Sequence, residues 1–227
     1  VGTDGYGNVY PGAQIPFGGI QISPDTDSRF YDAASGYKYN HLTLMGFSLT
    51  HLSGTGIPDL GDFLFIPGTG EMKLEPGTHE DPDKGYRSRY SHDKEWASPN
   101  YYAVELADYG VKAEMTSGVR SGMFRFTYPE SDSAFIMIDM NHTLWQSCEW
   151  SNLRMINDST ITGYKLVKGW GPERHVYLTA TFSKKLTGLR FMQDKKPVIY
   201  NTSRFRSSYE AWGKNLMACL SFDTKAG

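Results

Sequence analysis

Val176-Tyr177-Leu178-Thr179-Ala180-Thr181-Phe182-Ser183 alternates apolar and polar side chains without a break. Successive side chains of an extended chain point to opposite faces, so this stretch buries Val176, Leu178, Ala180 and Phe182 and wets the residues between them. The same period of two recurs over 102–107, 111–116, 123–128 and 216–222, each bounded by Gly, Pro, Asn, Asp or Ser. Two other runs, 63–66 (Phe-Leu-Phe-Ile) and 135–138 (Phe-Ile-Met-Ile), are continuously apolar and closed by Pro67 and Asp139. Their length fits strands buried on both faces. Helical spacing is weak throughout; only 207–215 offers a moderate candidate, interrupted by Gly213. About ten short strands separated by turn signals predict an all-β fold, an antiparallel two-sheet β-sandwich with long N-terminal loops and little helix.

Composition bounds the function. The 227 residues are enough to bury a core as one domain, 1–227. Lys plus Arg number 23 against 25 Asp plus Glu, a net charge of −2 that lacks the basic field nucleic-acid binding needs. No apolar run approaches the roughly 18 residues of a membrane helix, so no transmembrane segment is expected. Cys148 and Cys219 form one bridge or none. Residues 184–227 are basic and residues 1–70 acidic, a bias that protection of edge strands explains without a charged partner.

Familiar catalytic motifs are missing. The six His (41, 51, 79, 92, 142 and 175) form no H-E-x-x-H and have no Cys at ligand spacing, so no metal ligand is assigned. Ser53 lacks the preceding glycine of a hydrolase elbow. The Gly2-x-x-Gly5-x-Gly7 loop runs into Asn8-Val9-Tyr10-Pro11 rather than a helix carrying a Lys. Asp25-Thr26-Asp27 does not continue as a calcium loop and reads as an Asx turn.

The first 70 residues are dense in Gly, Pro, Tyr and Asp: Tyr10-Pro11-Gly12-Ala13, Ile15-Pro16-Phe17-Gly18, Gly36-Tyr37-Lys38-Tyr39 and Gly46-Phe47-Ser48-Leu49-Thr50-His51-Leu52-Ser53-Gly54-Thr55-Gly56. Loops this long in a sandwich usually carry function. Rings mixed with small polar side chains suit sugars, whose C–H faces pack on aromatics while their hydroxyls need donors and acceptors.

These blocks in this order, with Ser23-Pro24-Asp25-Thr26 and Asp59-x-Gly61-Asp62, resemble the N-terminal domain of glycoside hydrolase family 92. The similarity continues through Tyr90-Ser91-His92, Ala97-Ser98-Pro99-x-Tyr101-Tyr102 and Phe124-Arg125-Phe126-Thr127-Tyr128-Pro129. The family comprises calcium-dependent, exo-acting, inverting α-mannosidases of bacteria. The resemblance implies a supersandwich-like β-domain beside an (α/α)6 barrel, which is expected downstream and supplies the catalytic acid and base and most calcium contacts. It therefore implies no catalytic residue, metal ligand or cofactor in 1–227, with Ca2+ held mainly by the barrel, and an isolated chain that is inactive. The expected partners are a mannose-containing glycan and the chain's own barrel; the expected location is periplasmic, cell-surface or secreted. Matching blocks place Tyr37, Tyr39, His51, Ser53 and Thr55 on the substrate wall, with Tyr31 keeping an aromatic there. Gly54, Gly56, Asp59 and Asp62 are expected to brace the loop. Tyr6, Asn8 and 30–34 depart from family residues that include His and Trp, which bears on linkage preference. A stand-alone carbohydrate-binding module and a purely structural scaffold remain alternatives.

Overall fold

In this computed structural model residues 2–28, 33–199 and 209–225 are described. Seventeen strands occur among them. The first eight are β1 (Ser23–Asp25), β2 (Thr43–Leu44), β3 (Gly46–Ser48), β4 (Leu64–Thr69), β5 (Ser88–Arg89), β6 (Glu95–Ser98), β7 (Tyr101–Leu106) and β8 (Val111–Ser117). They are followed by β9 (Gly122–Thr127), β10 (Ala134–Asp139), β11 (Ser147–Asn157), β12 (Thr160–Lys168) and β13 (Arg174–Thr181). The last are β14 (Gly188–Gln193), β15 (Lys196–Pro197), β16 (Glu210–Gly213) and β17 (Leu216–Phe222). Among the described residues helical geometry is confined to short 3-10 turns such as Pro82–Lys84 and His92–Lys94.

The all-β reading holds. A seven-stranded sheet, β1-β3-β4-β10-β17-β14-β15, forms the middle layer, accompanied by β13-β12-β11-β16, β6-β7-β8-β9 and a β2-β5 ribbon. Each strand pairing is antiparallel.

The continuous apolar runs are the strands covered on both faces. On one face Phe65, Ile136, Ile138, Ala218 and Leu220 pack against Leu153, Ile161 and Ala211 of the β11–β12–β16 sheet. On the other, Leu64, Ile66, Phe135, Met137, Met217 and Cys219 pack under Met45 and Tyr86. A third cluster joins Phe47 to Tyr102, Val104, Val111, Ala113 and Met115 of the β7–β8 pair. Each fully buried side chain of this size contributes about 1.5–3 kcal/mol.

Two boundaries differ from the sequence reading. Pro67 lies inside β4, opposite Ile136, rather than ending the strand. Along β4, β3 is registered only at Phe65, so Pro67 lies at a local edge where a missing N–H is tolerated. In 209–215 the helical expectation gives way to β16, because pairing of Ala211 with Leu153 and Trp212 with Asn152 outweighs weak local helix propensity. Residues 207 and 208 of that window lie outside the described residues. Cys148 and Cys219 are both buried and unbridged.

Candidate functional site

The polar loops predicted to carry function meet at one end of the domain. The 2–10 loop is the hub: its Asn8 carbonyl accepts from Gly54 N–H at 2.7 Å, its Thr3 carbonyl from Tyr39 N–H at 2.9 Å, and its Gly5 carbonyl from Lys38 Nζ. Tyr10 then packs its ring 5.2 Å from that of His51. The Gly2, Tyr37–Tyr39 and Ser53–Thr55 blocks, far apart in sequence, thus form one surface.

The predicted wall residues divide into two groups. Tyr39 is exposed and stacks flat on His92, 4.0 Å between centroids and 6° between planes. Ser53, Gly54 and Thr55 are exposed, and Thr55 Oγ1 donates to the Ile57 carbonyl at 3.0 Å. Gly56 is partly buried. Tyr37 and His51, by contrast, are only 2% and 3% exposed, so they stand behind the wall rather than on it. Their polar atoms are engaged internally, which is the physical reason they turn inward. Tyr31 lies outside the described residues.

His51 belongs to a buried polar spine. Its Nε2 lies 2.8 Å from Asp25 Oδ1 and its Nδ1 2.7 Å from the Gln21 carbonyl, while His142 Nε2 approaches Asp25 Oδ2 at 2.7 Å. Burial alone would push the Asp25 carboxyl up, but the two imidazoles outweigh it and hold the group well below the usual carboxylate range. Gly36 permits this: with φ +85° it lies so close that a Cβ would sit 2.0 Å from Asp25 Oδ1.

Asp59 and Asp62 extend the spine. Asp62 accepts from Thr50 Oγ1 at 2.7 Å and from Arg174, with Lys165 Nζ at 3.3 Å. Burial raises its carboxyl, but Lys165 and Arg174 prevail and lower it. Asp59 accepts from Leu60 N–H at 2.6 Å and Trp170 N–H at 3.2 Å, tying the 52–62 loop to the turn before β13. Lys165 also donates to the His142 carbonyl at 2.6 Å, which links the two halves of the spine.

A second knot supports Tyr37. The Glu95 carboxylate accepts from Tyr37 OH at 2.9 Å and Tyr102 OH at 2.6 Å, with His92 Nδ1 at 2.6 Å. Burial, then the Glu95 charge, keep the Tyr102 phenol well above its ordinary value, so it remains a donor. Through His92 the knot also fixes the stacked Tyr39.

His142, Lys165, Arg174 and Glu95 escaped sequence reasoning. Lys165 had a signal: it falls in phase with the buried positions Ile161, Gly163 and Val167 of β12. A charged group on an apolar phase needs a buried partner. Arg174 is likewise in phase with Val176, Leu178 and Ala180.

Separately, a cleft of about 800 Å³ opens beside His142, lined by Asp139, Asn141 and Cys148 over Met45, Met192 and Met217. Among the described residues, no group of three His, Cys, Asp or Glu is arranged to hold a metal ion. The carboxylates of Asp25, Asp59 and Asp62 are spent on His, Arg, Lys and main-chain N–H groups, so the calcium implied by the family resemblance does not fit a site built from them.

The architecture defines a layered antiparallel β-domain that gathers polar, aromatic-bearing loops at one end over a buried ionic spine. Comparison with known proteins gives its family. The model of the glycosyl hydrolase family 92 N-terminal domain matches residues 1–227, and the chain belongs to this family. It is 98% identical over its whole length to the solved structure of the family GH92 alpha-mannosidase BT3965 from Bacteroides thetaiotaomicron, with a TM-score of 0.96, covering 31% of that chain. It is 27% identical to the GH92 family glycosyl hydrolase ccman5, with a TM-score of 0.79 over 98% of this chain and 30% of that one. An uncharacterized secreted glycosidase of Arthroderma benhamiae is 29% identical over 135 residues, 59% of this chain and 17% of that protein. The chain thus spans under a third of the length of these relatives. Among the described residues no helix is long and apolar enough to cross a membrane.

Proposed function

We propose that this chain is the N-terminal β-domain of an exo-acting, inverting α-mannosidase that trims mannose from glycans, and that its loop cluster forms one wall of the substrate cleft. The observation that carries the reading is 98% identity over the full chain to an α-mannosidase whose structure is also solved with mannoimidazole. In this reading Tyr39, Ser53 and Thr55 touch the glycan, while Tyr37, His51, Asp59 and Asp62 hold the loops that present them. The opposite wall, the catalytic acid and base, and the Ca2+ belong to an (α/α)6 barrel in the rest of the parent enzyme. The parent acts outside the cytoplasm, in the periplasm or at the cell surface; the secreted fungal relative supports export without specifying the compartment.

The test compares the full-length parent with Tyr39→Ala and Ser53→Ala variants on an α-linked mannobiose. Loss of a few-fold to about 100-fold in kcat/KM, roughly 1–3 kcal/mol of contact, is the expected result. Unchanged kinetics in both variants would return the loops to a scaffolding role.

A further inference from the structure

Tyr90-Ser91-His92 leads from β5 towards β6 and sets an imidazole behind the loop cluster. Ser91 caps the 3-10 turn His92–Lys94, its Oγ accepting from Asp93 N–H at 3.3 Å, so the backbone that carries His92 is fixed by its own sequence. The ring is then held on several sides. Its Nδ1 lies 2.6 Å from Glu95 Oε2 and its Nε2 2.7 Å from the Tyr39 carbonyl, while the Tyr90 ring meets it edge-on with centroids 5.5 Å apart and planes at 89°. With both nitrogens engaged, the imidazole cannot turn over without breaking both hydrogen bonds. Glu95 in turn accepts from Tyr37 OH and Tyr102 OH.

Tyr39 is gripped twice by this ring, from 53 positions away in sequence. His92 holds its carbonyl and also lies flat against its phenol ring, 4.0 Å between centroids at 6°. The Tyr39 N–H donates to the Thr3 carbonyl at 2.9 Å, which fixes the backbone from the other side. Yet Tyr39 is 46% exposed, unlike Tyr37, which is 2% exposed and joined to the same knot. These contacts immobilise a ring without burying it, so they add little to the core. What they change is the cost of stacking something on Tyr39: a side chain already confined to one rotamer has less freedom to lose when a ligand arrives.

We propose that His92 is a positioning residue for glycan binding, acting through Tyr39 rather than on the sugar: it presets the phenol ring as a platform on which a pyranose stacks its C–H face. The inference rests on the function proposed above, in which the loop cluster is a wall of the substrate cleft. The test is steady-state hydrolysis of an α-linked mannobiose by the full-length parent and its Tyr39→Ala, His92→Asn, His92→Gln and Tyr39→Ala/His92→Asn variants, with a thermal melt of each. His92→Asn keeps a donor at the Nδ1 position for Glu95, and so preserves the knot, but loses both holds on Tyr39. It should raise KM roughly 2- to 10-fold and keep kcat within about 2-fold, the signature of lost binding common to ground and transition states. Loss of folded protein would do the reverse, lowering kcat and leaving KM alone. His92→Gln keeps a flat amide and a donor at the Nε2 position for the Tyr39 carbonyl, and should recover most of the wild-type KM. In the Tyr39→Ala background His92→Asn should have no further effect. An unchanged KM in His92→Asn, a fall in kcat alone, no recovery in His92→Gln, or losses at the two positions that multiply overturns the proposal. So does protection of Tyr39 from hydroxyl-radical labelling in the unliganded full-length enzyme, which would mean that the rest of the parent chain covers the ring. An unchanged KM in Tyr39→Ala would instead remove Tyr39 from the glycan wall and this inference with it, whereas a raised KM there beside an unaffected His92→Asn overturns the inference alone.

Discussion

At the residue scale the buried carboxylate of Asp25 has the largest energetic consequence. Removing one partner of a buried ion pair leaves the others uncompensated and costs about 3–5 kcal/mol. Asp25→Asn should therefore lower stability by about that amount at pH 7, read by urea denaturation. Because the folded carboxyl is held below its unfolded value of ~3.9, its contribution is complete above that pH and fades as pH falls through and below it. The gap between wild type and Asp25→Asn should accordingly narrow from pH 7 to pH 3; a constant gap would contradict the pairing. Gly36 and Gly54 make a matched pair, both at positive φ (+85° and +74°). Gly36→Ala drives a Cβ into Asp25 Oδ1 and should cost well over the ~1–2 kcal/mol of backbone strain alone, whereas Gly54→Ala, with nothing within 4 Å, should cost only that strain. Paired thermal melts of the two variants measure the difference. The importance of these positions was half legible in the sequence. A glycine ahead of Tyr37 and an aspartate in a turn can be read, but the two histidines that converge on Asp25 come from 26 and 117 residues away, which no local pattern encodes.

At the scale of elements, strands followed from periodicity wherever one face is wet or both are dry. β13 alternates partly buried and exposed residues as its sequence does, and β4 and β10 are buried almost throughout. The failures came where tertiary pairing overrides local preference, at Pro67 and in β16. Glu95 at the start of β6 links the sheet to the 37–41 segment, since Tyr37, Tyr102 and His92 all converge on it. Glu95→Gln replaces an acceptor with an NH2 group facing donors, and hydrogen bonds to a charged group are worth about 1.5–3 kcal/mol. A destabilisation of that size is expected, with faster amide hydrogen exchange at Tyr39 and His41; exchange unchanged at those amides would mean that the knot does not order the loop.

For the whole molecule, the fold class and the loop-rich end were legible, because composition, turn residues and strand period agree. The number of sheets was not, since pairing among many short strands is decided by contacts distant in sequence. Nor was the spine, in which Asp62, Lys165 and Arg174 come from three separate segments. A chain whose buried acids are occupied in this way has no free acid and base pair among those groups. The purified 227-residue chain should show no mannose release from α-mannosides with or without added calcium, and turnover by it would refute the division of labour between domains.

The two unbridged cysteines have a consequence for how such a domain matures. Both cysteines are buried, Cys148 at the wall of the cleft and Cys219 on the core strand β17, where burial pushes its thiol up to about 11, so it stays protonated and unreactive. A domain whose two cysteines are buried and unbridged needs no oxidase or isomerase to reach its native state. Its melting temperature should be the same with and without dithiothreitol, and Ellman's reagent should find Cys219 only after denaturation.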